Sequence, residues 1–445
     1  MALPEDEVVR LAAELLSEFS ARHRAYPELL ERHAAIIAAR LDATSSLSSA
    51  RTHLLGAAFT AEYSTEAAAL MNPSAVLSPD QAQVQVGQVR VAMSLRAVGE
   101  GHLSSIAFCT ALIGPGPVWA FETRTLPTVS GTTSTARWTI ANLRSVLGDQ
   151  GPFDELGRAL LHALPAEFDT TDLERAIVDL FPELVLRPGG QAGVDLLRRL
   201  VQSAYGVTFD PDVQLSQRIL HPSVPEESNG MEDARFTRFV AADGSVEYRG
   251  TYTAYDGRNI EPRLLQSLDL RTFQAHRLAG DAARNKGMAL FPRLVRGRHL
   301  ALCRTDGENT SLAWSDDGFT WSESEVLHRP RGGWELLQVG NCGPPIETEH
   351  GWLVLTHAVG AMRVYTISAL LLDLDDPSRI IGSLTDPLLQ PASNERDGYV
   401  PSVVYSCGGV VHDGRLWIPY GIDDSRIGVA WVALTELIER MLAPA

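Results

Sequence analysis

The sequence predicts a mainly β fold: a five-bladed β-propeller carrying an N-terminal helical arm and a helical insertion. Three observations predict it. First, short opener segments recur near bends: Asn72-Pro73-Ser74, Asp233-Ala234-Arg235, Leu290-Phe291-Pro292-Arg293, Gly343-Pro344-Pro345 and Tyr399-Val400-Pro401. The last four lie roughly 50–60 residues apart, the range in which propeller blades repeat. Second, hairpin turns are explicit at Ala242-Asp243-Gly244, Tyr255-Asp256-Gly257, Ser315-Asp316-Asp317-Gly318 and His412-Asp413-Gly414. Third, the runs between them are rich in Val, Tyr, Trp and Thr, as in 248–255. In a propeller the inner strands converge on one axial pocket, so segments distant in sequence can share a site.

Residues 5–43 read as two helices. Val8, Leu11, Ala12, Leu15 and Leu16 recur at helical spacing, and after Tyr26-Pro27 so do Leu29, Leu30, His33, Ala34, Ile37 and Leu41. Arg22, His23, Arg24 and Arg32 decorate this arm as a solvated face or an interface, which leaves room for a homo-oligomer. A helix is expected over 54–69. Met71-Asn72-Pro73-Ser74 then opens a β region, with strands at 89–96 and 106–113 flanking the polar turn Gly99–Ser105. Between 134 and 206 four helical stretches are expected: 136–147, 153–164, 171–181 and 191–205. Asp169-Thr170-Thr171-Asp172 carries capping-box character in front of the third. The domains drawn from this are 1–50 as the helical arm, 51–131 as the first blade, 132–210 as the helical insertion and 211–445 as the remaining propeller with the site.

Composition excludes several classes. The chain of 445 residues is 45% hydrophobic and 21% charged, ample for a large core. Its net charge of −17 and the absence of a Lys/Arg-rich run argue against nucleic acid or an anionic membrane as partner. No apolar stretch approaches the ~20 residues of a spanning helix. The acidic N-terminus lacks the features of a signal peptide. Cys109, Cys303, Cys342 and Cys407 are scattered without a CxxC pair, so neither a disulfide framework nor a zinc site is expected. No HExxH-type spacing appears, so catalysis without a metal is expected, and no Walker or Rossmann glycine pattern points to a nucleotide. The reducing cytoplasm is the expected home.

The chemistry is expected at Asn229-Gly230-Met231-Glu232-Asp233-Ala234-Arg235. A turn-forming Asn-Gly leads into two carboxylates and an Arg, then a strand-like run over 236–240. In a regular strand, neighbouring side chains point to opposite faces, so Glu232 and Asp233 cannot both enter one pocket. Arg235 shares the side of Asp233 and can orient it.

These pieces, taken together, resemble glycoside hydrolase family 130, the mannoside phosphorylases and related inverting mannosidases. The resemblance runs through about 70–110 and 216–435. Its carriers are Met71–Ser74, Ser94–Ala97, Glu232–Arg235, Tyr252–Gly257, Asn285–Pro292, Cys303-Arg304, Gly343–Glu349, Gly351–His357, Leu371–Pro377 and Tyr420–Asp424. The helical arm and the insertion are not part of the family's common core. The resemblance implies a five-bladed propeller with an axial sugar site and Asp233 as the lone catalytic acid. That acid acts through a sugar hydroxyl, while inorganic phosphate, a co-substrate rather than a cofactor, attacks the anomeric carbon from the opposite face. The family's Glu-Asp-Pro-Arg reads Glu-Asp-Ala-Arg here, and Glu347 stands where its phosphorylases often carry Lys.

A phosphorylase needs an acid but no base, and it needs a cationic cradle for the phosphate dianion. Lys286, Arg304, His357, Arg363 and Tyr365 stand in matching places. Singly, Lys286 also fits a solvated loop and His357 a satisfied core histidine, whereas Arg304 follows an apolar run and requires an anion when buried. Arg96, Arg235, Tyr255 and Asp424 are candidates for the sugar, with Glu100 and His102 reaching a neighbouring sugar or the phosphate. Arg96 and His102 also fit loop-bracing roles, Asp424 a turn, and Tyr255 the core. The partners expected are thus an oligosaccharide and phosphate. Two alternatives stay open: an inverting hydrolase with water activated by Glu308, Glu347, Glu349 or Glu395, and a non-catalytic sugar-binding propeller.

Overall fold

The computed structural model describes residues 3–40, 47–124, 127–149, 155–180 and 182–443. They fall into two compact units. The first, Met1–Ser64 with Thr123–Val129, is built on three helices, α1 (Glu5–Phe19), α2 (Tyr26–Ala38) and α3 (Ser49–Ala58). Gly56 of α3 meets Leu30 of α2 so closely that a Cβ would sit 2.0 Å from the Leu30 carbonyl oxygen. The helix expected over 54–69 is corrected here. It starts earlier because Ser48 caps it, accepting from Arg51 N at 3.2 Å. It ends at Ala58, and beyond it Glu62 accepts from Arg22 Nη2 at 2.7 Å and pairs with His23 Nε2 at 2.8 Å. Arg22 is therefore ion-paired, and His23 hydrogen-bonded, within the unit. Leu41 lies outside the described residues.

The second unit is mainly β. Strands β1 (Ala69–Leu77), β2 (Val89–Val98) and β3 (Ser104–Ile113) form an antiparallel meander. A second meander contains β4 (Gly230–Val240), β5 (Val246–Tyr255), β6 (Ile260–Ser267) and β7 (Thr272–Arg277). The two belong to one 12-stranded sheet, joined by a parallel pairing of Gly230 with Ser104. Gly230 has φ +136°, and a Cβ there would lie 2.2 Å from Ser104 Oγ, so the junction requires glycine. Three further sheets are laid around Ala301, Leu355 and Ile418, with four, five and four strands.

Backbone hydrogen bonds tie each sheet to the next. Val240 N donates to Pro292 O at 2.8 Å, Val339 N to Glu308 O at 2.9 Å and Tyr365 N to Ser402 O at 3.0 Å. The last sheet returns to the first: Cys407 N donates to Pro73 O at 2.8 Å and Ala75 N to Gly408 O at 3.1 Å. Apolar faces fill the gaps, with Phe291, Leu312, Trp352 and Val354 in one layer and Leu353, Leu355, Ile367 and Leu416 in another. The central strand Gly351–Val359 is buried along its whole length, which is why it reads as a continuous apolar run. Among the described residues no helix is long and apolar enough to cross a membrane.

The helices between the meanders are α4 (Ile140–Gly148), α5 (Glu155–Ala163), α6 (Thr170–Val178), α7 (Pro182–Leu186) and α8 (Gly190–Gln202). They enclose their own core of Trp138, Leu143, Leu160, Leu173 and Leu197. The expected capping box at Asp169 and Asp172 is present. Helix α4 starts at Ile140, not 136, because Thr139 caps it and Trp138–Thr139 pairs with Glu167–Phe168. Helix α8 stops at Gln202, since Tyr205 already pairs with Ala275 of β7. Phe153 and Phe181 lie outside the described residues. Helix α7 and the C-terminal α9 (Leu434–Leu442) have no counterpart in the sequence-based expectations.

A fully buried ionic cluster braces this region. Glu227 accepts from Tyr205 Oη at 2.9 Å, Tyr252 Oη at 2.5 Å and Ser223 N at 2.8 Å, with Arg263 Nε 3.8 Å away. Arg263 also donates to the Ser203 carbonyl at the end of α8. A buried charge is tolerated only when paired, and removing one partner costs about 3–5 kcal/mol. Glu227→Gln is therefore expected to destabilise by about 3 kcal/mol or more in urea unfolding. Tyr252→Phe, which leaves Glu227 its other donors, should cost nearer 1 kcal/mol. Equal effects would place the tyrosine, not the charge, at the centre of the cluster.

Candidate active site

A hollow of about 220 Å³ is lined by residues from both meanders and from the three further sheets and their turns. Asn72 comes from β1, Arg96 from β2, and Asp233 and Arg235 from β4. Lys286 and Arg304 flank the sheet around Ala301, His357 and Tyr365 belong to the sheet around Leu355, and Tyr405 and Asp424 to the sheet around Ile418 and its turn. The structure thus brings together nine of the sequence-predicted residues: Asp233, Lys286, Arg304, His357, Arg363, Tyr365, Arg96, Arg235 and Asp424.

The carboxylate of Asp233 is the centre of the arrangement. Asn72 Nδ2 donates to its Oδ1 at 2.7 Å, Arg96 Nη1 lies 3.6 Å from the same oxygen, and Arg235 Nη2 lies 3.9 Å from Oδ2. Of the two adjacent carboxylates only Asp233 lines the hollow, as expected, while Glu232 braces the frame; the backbone that achieves this is not a regular strand. The β4–β5 register slips between Glu232 and Arg235, and Asp233 sits at φ +54°. This bulge turns both carboxylates toward Arg96. Arg96 Nη2 donates to Glu232 Oε1 at 2.7 Å, and Lys286 Nζ to Glu232 Oε2 at 2.5 Å. Arg235 holds the bulge: its Nη1 donates to the Asp233 carbonyl at 2.7 Å, its Nε to Cys342 O at 2.8 Å and its Nη2 to Tyr405 Oη at 2.9 Å.

Asn72, Asp233, Arg363 and Asp424 all have positive φ, between +49° and +58°. Such strained non-glycine backbone persists where surrounding contacts over-determine it.

Burial pushes the Asp233 carboxyl up, but the guanidiniums of Arg96 and Arg235, the Asn72 amide and the Lys286 ammonium outweigh it, and the group is held below the usual carboxylate range. Asp424 goes the other way. Burial, then the Asp233 charge, pushes it up to about 6 despite Arg96 and Arg363. Burial, with Arg304 and Arg235 nearby, drives His357 far below its ordinary value, so its imidazole is neutral. Three buried nitrogens of the lining residues, Arg96 Nε, Arg304 Nε and His357 Nδ1, have no hydrogen-bond partner among the described residues. Arg304 spends its Nη2 on Gly307 O at 2.5 Å. Unpaired buried polar nitrogens are costly, and each calls for a reason in its surroundings.

Three expected residues lie outside this lining. Glu100 and His102 are exposed in the β2–β3 turn, where the His102 ring stacks 5.8 Å from Tyr399. Tyr255 donates from Oη to Gly257 O at 3.0 Å, and Lys286 Nζ stands 5.8 Å over its ring. Glu308, Glu347, Glu349 and Glu395 do not line the hollow either. Glu347 is spent on Arg293 at the surface, 2.6 Å away. Asn72, Gln338 and Tyr405 were not among the expected site residues. The Asn-Pro opener was the available signal for Asn72, since Asn tolerates left-handed backbone. Nothing in the local sequence marks Gln338 or Tyr405.

The comparison with known proteins makes the chain a carbohydrate-active enzyme. Residues 203–442 match the family model described as beta-1,4-mannooligosaccharide phosphorylase, and the chain belongs to glycoside hydrolase family 130. A 1,2-beta-oligomannan phosphorylase of Thermoanaerobacter sp. (strain X514) is 33% identical over 52% of this chain and 77% of its own length. A beta-1,2-mannobiose phosphorylase of the same strain is 34% identical over 51% of this chain and 73% of its own length. The solved beta-1,2-mannobiose phosphorylase of Listeria innocua aligns over 84% of this chain and 92% of that one, at 18% identity and a TM-score of 0.48.

The raised Asp424 has a stability consequence. Because the folded state binds this proton more tightly than the unfolded chain, its contribution is present at acid pH and is lost as pH rises through about 6. Asp424→Asn should therefore raise stability by about 2 kcal/mol at pH 8 and little at pH 4. Thermal unfolding at the two pH values checks this, and equal shifts at both would count against it.

Proposed function

We propose that the chain is an inverting β-mannoside phosphorylase, converting a β-mannoside and inorganic phosphate to α-mannose 1-phosphate and a shortened acceptor sugar. The observation that carries this reading is the convergence of Lys286, Arg304, His357 and Arg363 on the hollow that holds the caged carboxylate of Asp233. Several cations around one hollow suit a dianion, which needs such charge far more than a neutral water does. Lys286, Arg304, His357, Arg363 and Tyr365 form the phosphate cradle. Arg96, Arg235 and Asp424 hold the transferred sugar. Hydrolysis finds less support, because none of the four glutamates expected to activate water lines the hollow. The names and similarity of the relatives point the same way.

In this reading Asp233 gives its proton, through a hydroxyl of the bound mannose, to the glycosidic oxygen as that C–O bond breaks. A phosphate oxygen forms the new bond to the anomeric carbon from the opposite face. The acceptor leaves with its hydroxyl restored, and the proton carried by hydrogen phosphate balances the one Asp233 has given. The depressed state of the Asp233 carboxyl fits the sequence of binding. Without phosphate, the surrounding cations keep it ionised. A dianion among Lys286 and Arg304 offsets them and raises its proton affinity. The co-substrate thereby creates the acid.

The same reading arranges the five β segments as a five-bladed propeller around this hollow. Support comes from the chain of backbone contacts between successive sheets, ending with Cys407 on Pro73. The segment 132–210 is then an insertion within the ring, and 1–50 an appended arm.

The test is product analysis with β-1,2- and β-1,4-mannobiose. α-Mannose 1-phosphate should form only with phosphate present; free mannose released at equal rate without phosphate would sink the proposal. Asp233→Asn should lower kcat by about 10²–10⁴-fold, the usual worth of a general acid. The pH profile gives a second check. An acid is lost as pH rises through its pKa, so the basic limb of kcat at saturating phosphate should lie above that of kcat/KM for phosphate. Superimposed limbs would show that phosphate does not raise the acid.

A further inference from the structure

Lys286 is the single lysine among the 38 lysine and arginine residues of the chain. Elsewhere the sequence uses a guanidinium, yet its one ε-ammonium stands at the hollow. The two groups differ in how they meet a carboxylate. The geometry around Glu232 makes that difference matter.

Glu232 is buried, with 5% of its surface exposed. Its Oε1 accepts from Arg96 Nη2 at 2.7 Å and its Oε2 from Lys286 Nζ at 2.5 Å. Arg96 also places Nη1 3.6 Å from Asp233 Oδ1. Charges of alternating sign therefore run from Lys286 through Glu232 and Arg96 to Asp233. In the phosphorylase reading this line joins the phosphate cradle, through Lys286, to the transferred sugar, through Arg96.

The backbone of Lys286 is fixed separately. Asn285 Oδ1 accepts from Lys286 N at 2.8 Å, and Asn341 Nδ2 donates to the following carbonyl, Gly287 O, at 2.8 Å. Packing does not fix the side chain, since 41% of it is exposed. A four-carbon stem loses much rotamer freedom when it is ordered. Glu232 orders it before an anion arrives, so less of that cost falls on binding.

The two oxygens of Glu232 also account for the residue type. With Oε1 taken by Arg96, one oxygen is left. An ammonium needs only that oxygen, and two of its three N–H donors stay available to an anion. A guanidinium prefers to fork across both carboxylate oxygens, where it competes with Arg96.

We infer that Glu232 is a positioning residue that holds the Lys286 ammonium at the hollow for phosphate, and that position 286 requires lysine, not arginine, for this reason. The inference rests on the phosphorylase reading and gives a role to a carboxylate outside the lining of the hollow.

Glu232→Gln is the direct test. A carboxamide has one acceptor oxygen and cannot serve both cations. Arg96, the less exposed of the two, keeps it, and Lys286 is released. KM for phosphate should rise about tenfold or more, while KM for the mannoside and kcat at saturating phosphate stay within about threefold. In a Lys286→Met background the same substitution should change KM for phosphate by less than about twofold, because the group it acts through is gone. Lys286→Arg leaves the buried carboxylate in place and serves if the Gln variant fails to fold; it should raise KM for phosphate about tenfold although the charge is kept. An unchanged or lowered phosphate KM in Glu232→Gln, equal effects in both backgrounds, or a wild-type phosphate KM in Lys286→Arg would each overturn the inference.

Acetylation by acetic anhydride gives a readout without turnover, since the chain has one ε-amine. Lys286, followed by mass spectrometry of its peptide, should react about fivefold faster in folded Glu232→Gln than in the wild type, because the amine is no longer held. If the wild type forms no mannose 1-phosphate, the reaction assignment fails. Faster acetylation then still supports the hold of Glu232 on Lys286, and an unchanged rate overturns it.

Discussion

The structure depends on keeping one carboxylate charged inside protein. Asp233 lies at a bulge in β4, and burial alone would neutralise it. Its charge survives because Asn72, Arg96 and Arg235 reach it from three separate strands. Each of those residues is in turn restrained: Asn72 by left-handed backbone beside Pro73, Arg96 by Glu232, and Arg235 by Cys342, Tyr405 and the Asp233 carbonyl. The carboxylate and its scaffold therefore define each other. A change in the packing of any contributing sheet is felt as a change in proton affinity at the centre.

That dependence explains which features were legible in the sequence. The β2–β3 hairpin and the Val246–Tyr255 strand follow from local alternation and turn chemistry, and they fall where expected. The motif residues of the site were legible through the family resemblance, because side chains such as Lys286 and Arg304 stand at fixed offsets from their openers. The bulge at Asp233 was not legible. Strand periodicity assumes regular backbone, and nothing in Glu-Asp-Ala-Arg announces a positive φ at a non-glycine residue. Tyr405 was missed because its role comes from Arg235, which is 170 residues away. Helix α3 was placed too late because the apolar spacing outweighed the Ser48 cap in the reading.

The two unlike carboxylates of the hollow show how position sets chemistry. Asp233 and Asp424 are the same residue type in one small space. Three donors surround the first, whereas the second feels burial and the charge of the first. Environments that drive a pair of acids apart in this way are a common means of assigning different duties to identical groups. The neutral His357 extends the pattern, since its low proton affinity comes from burial and the same cations that would hold an anion.

Arg263 carries a consequence for how this chain can have been assembled. Its guanidinium is wholly buried and takes the Ser203 carbonyl, at the end of α8, as one of its acceptors. Pruning that helix would take one acceptor from a buried guanidinium and leave Glu227 and Glu261 as its partners. A chain that kept α8 without Arg263 would lose the donor that fixes the end of that helix to the sheet.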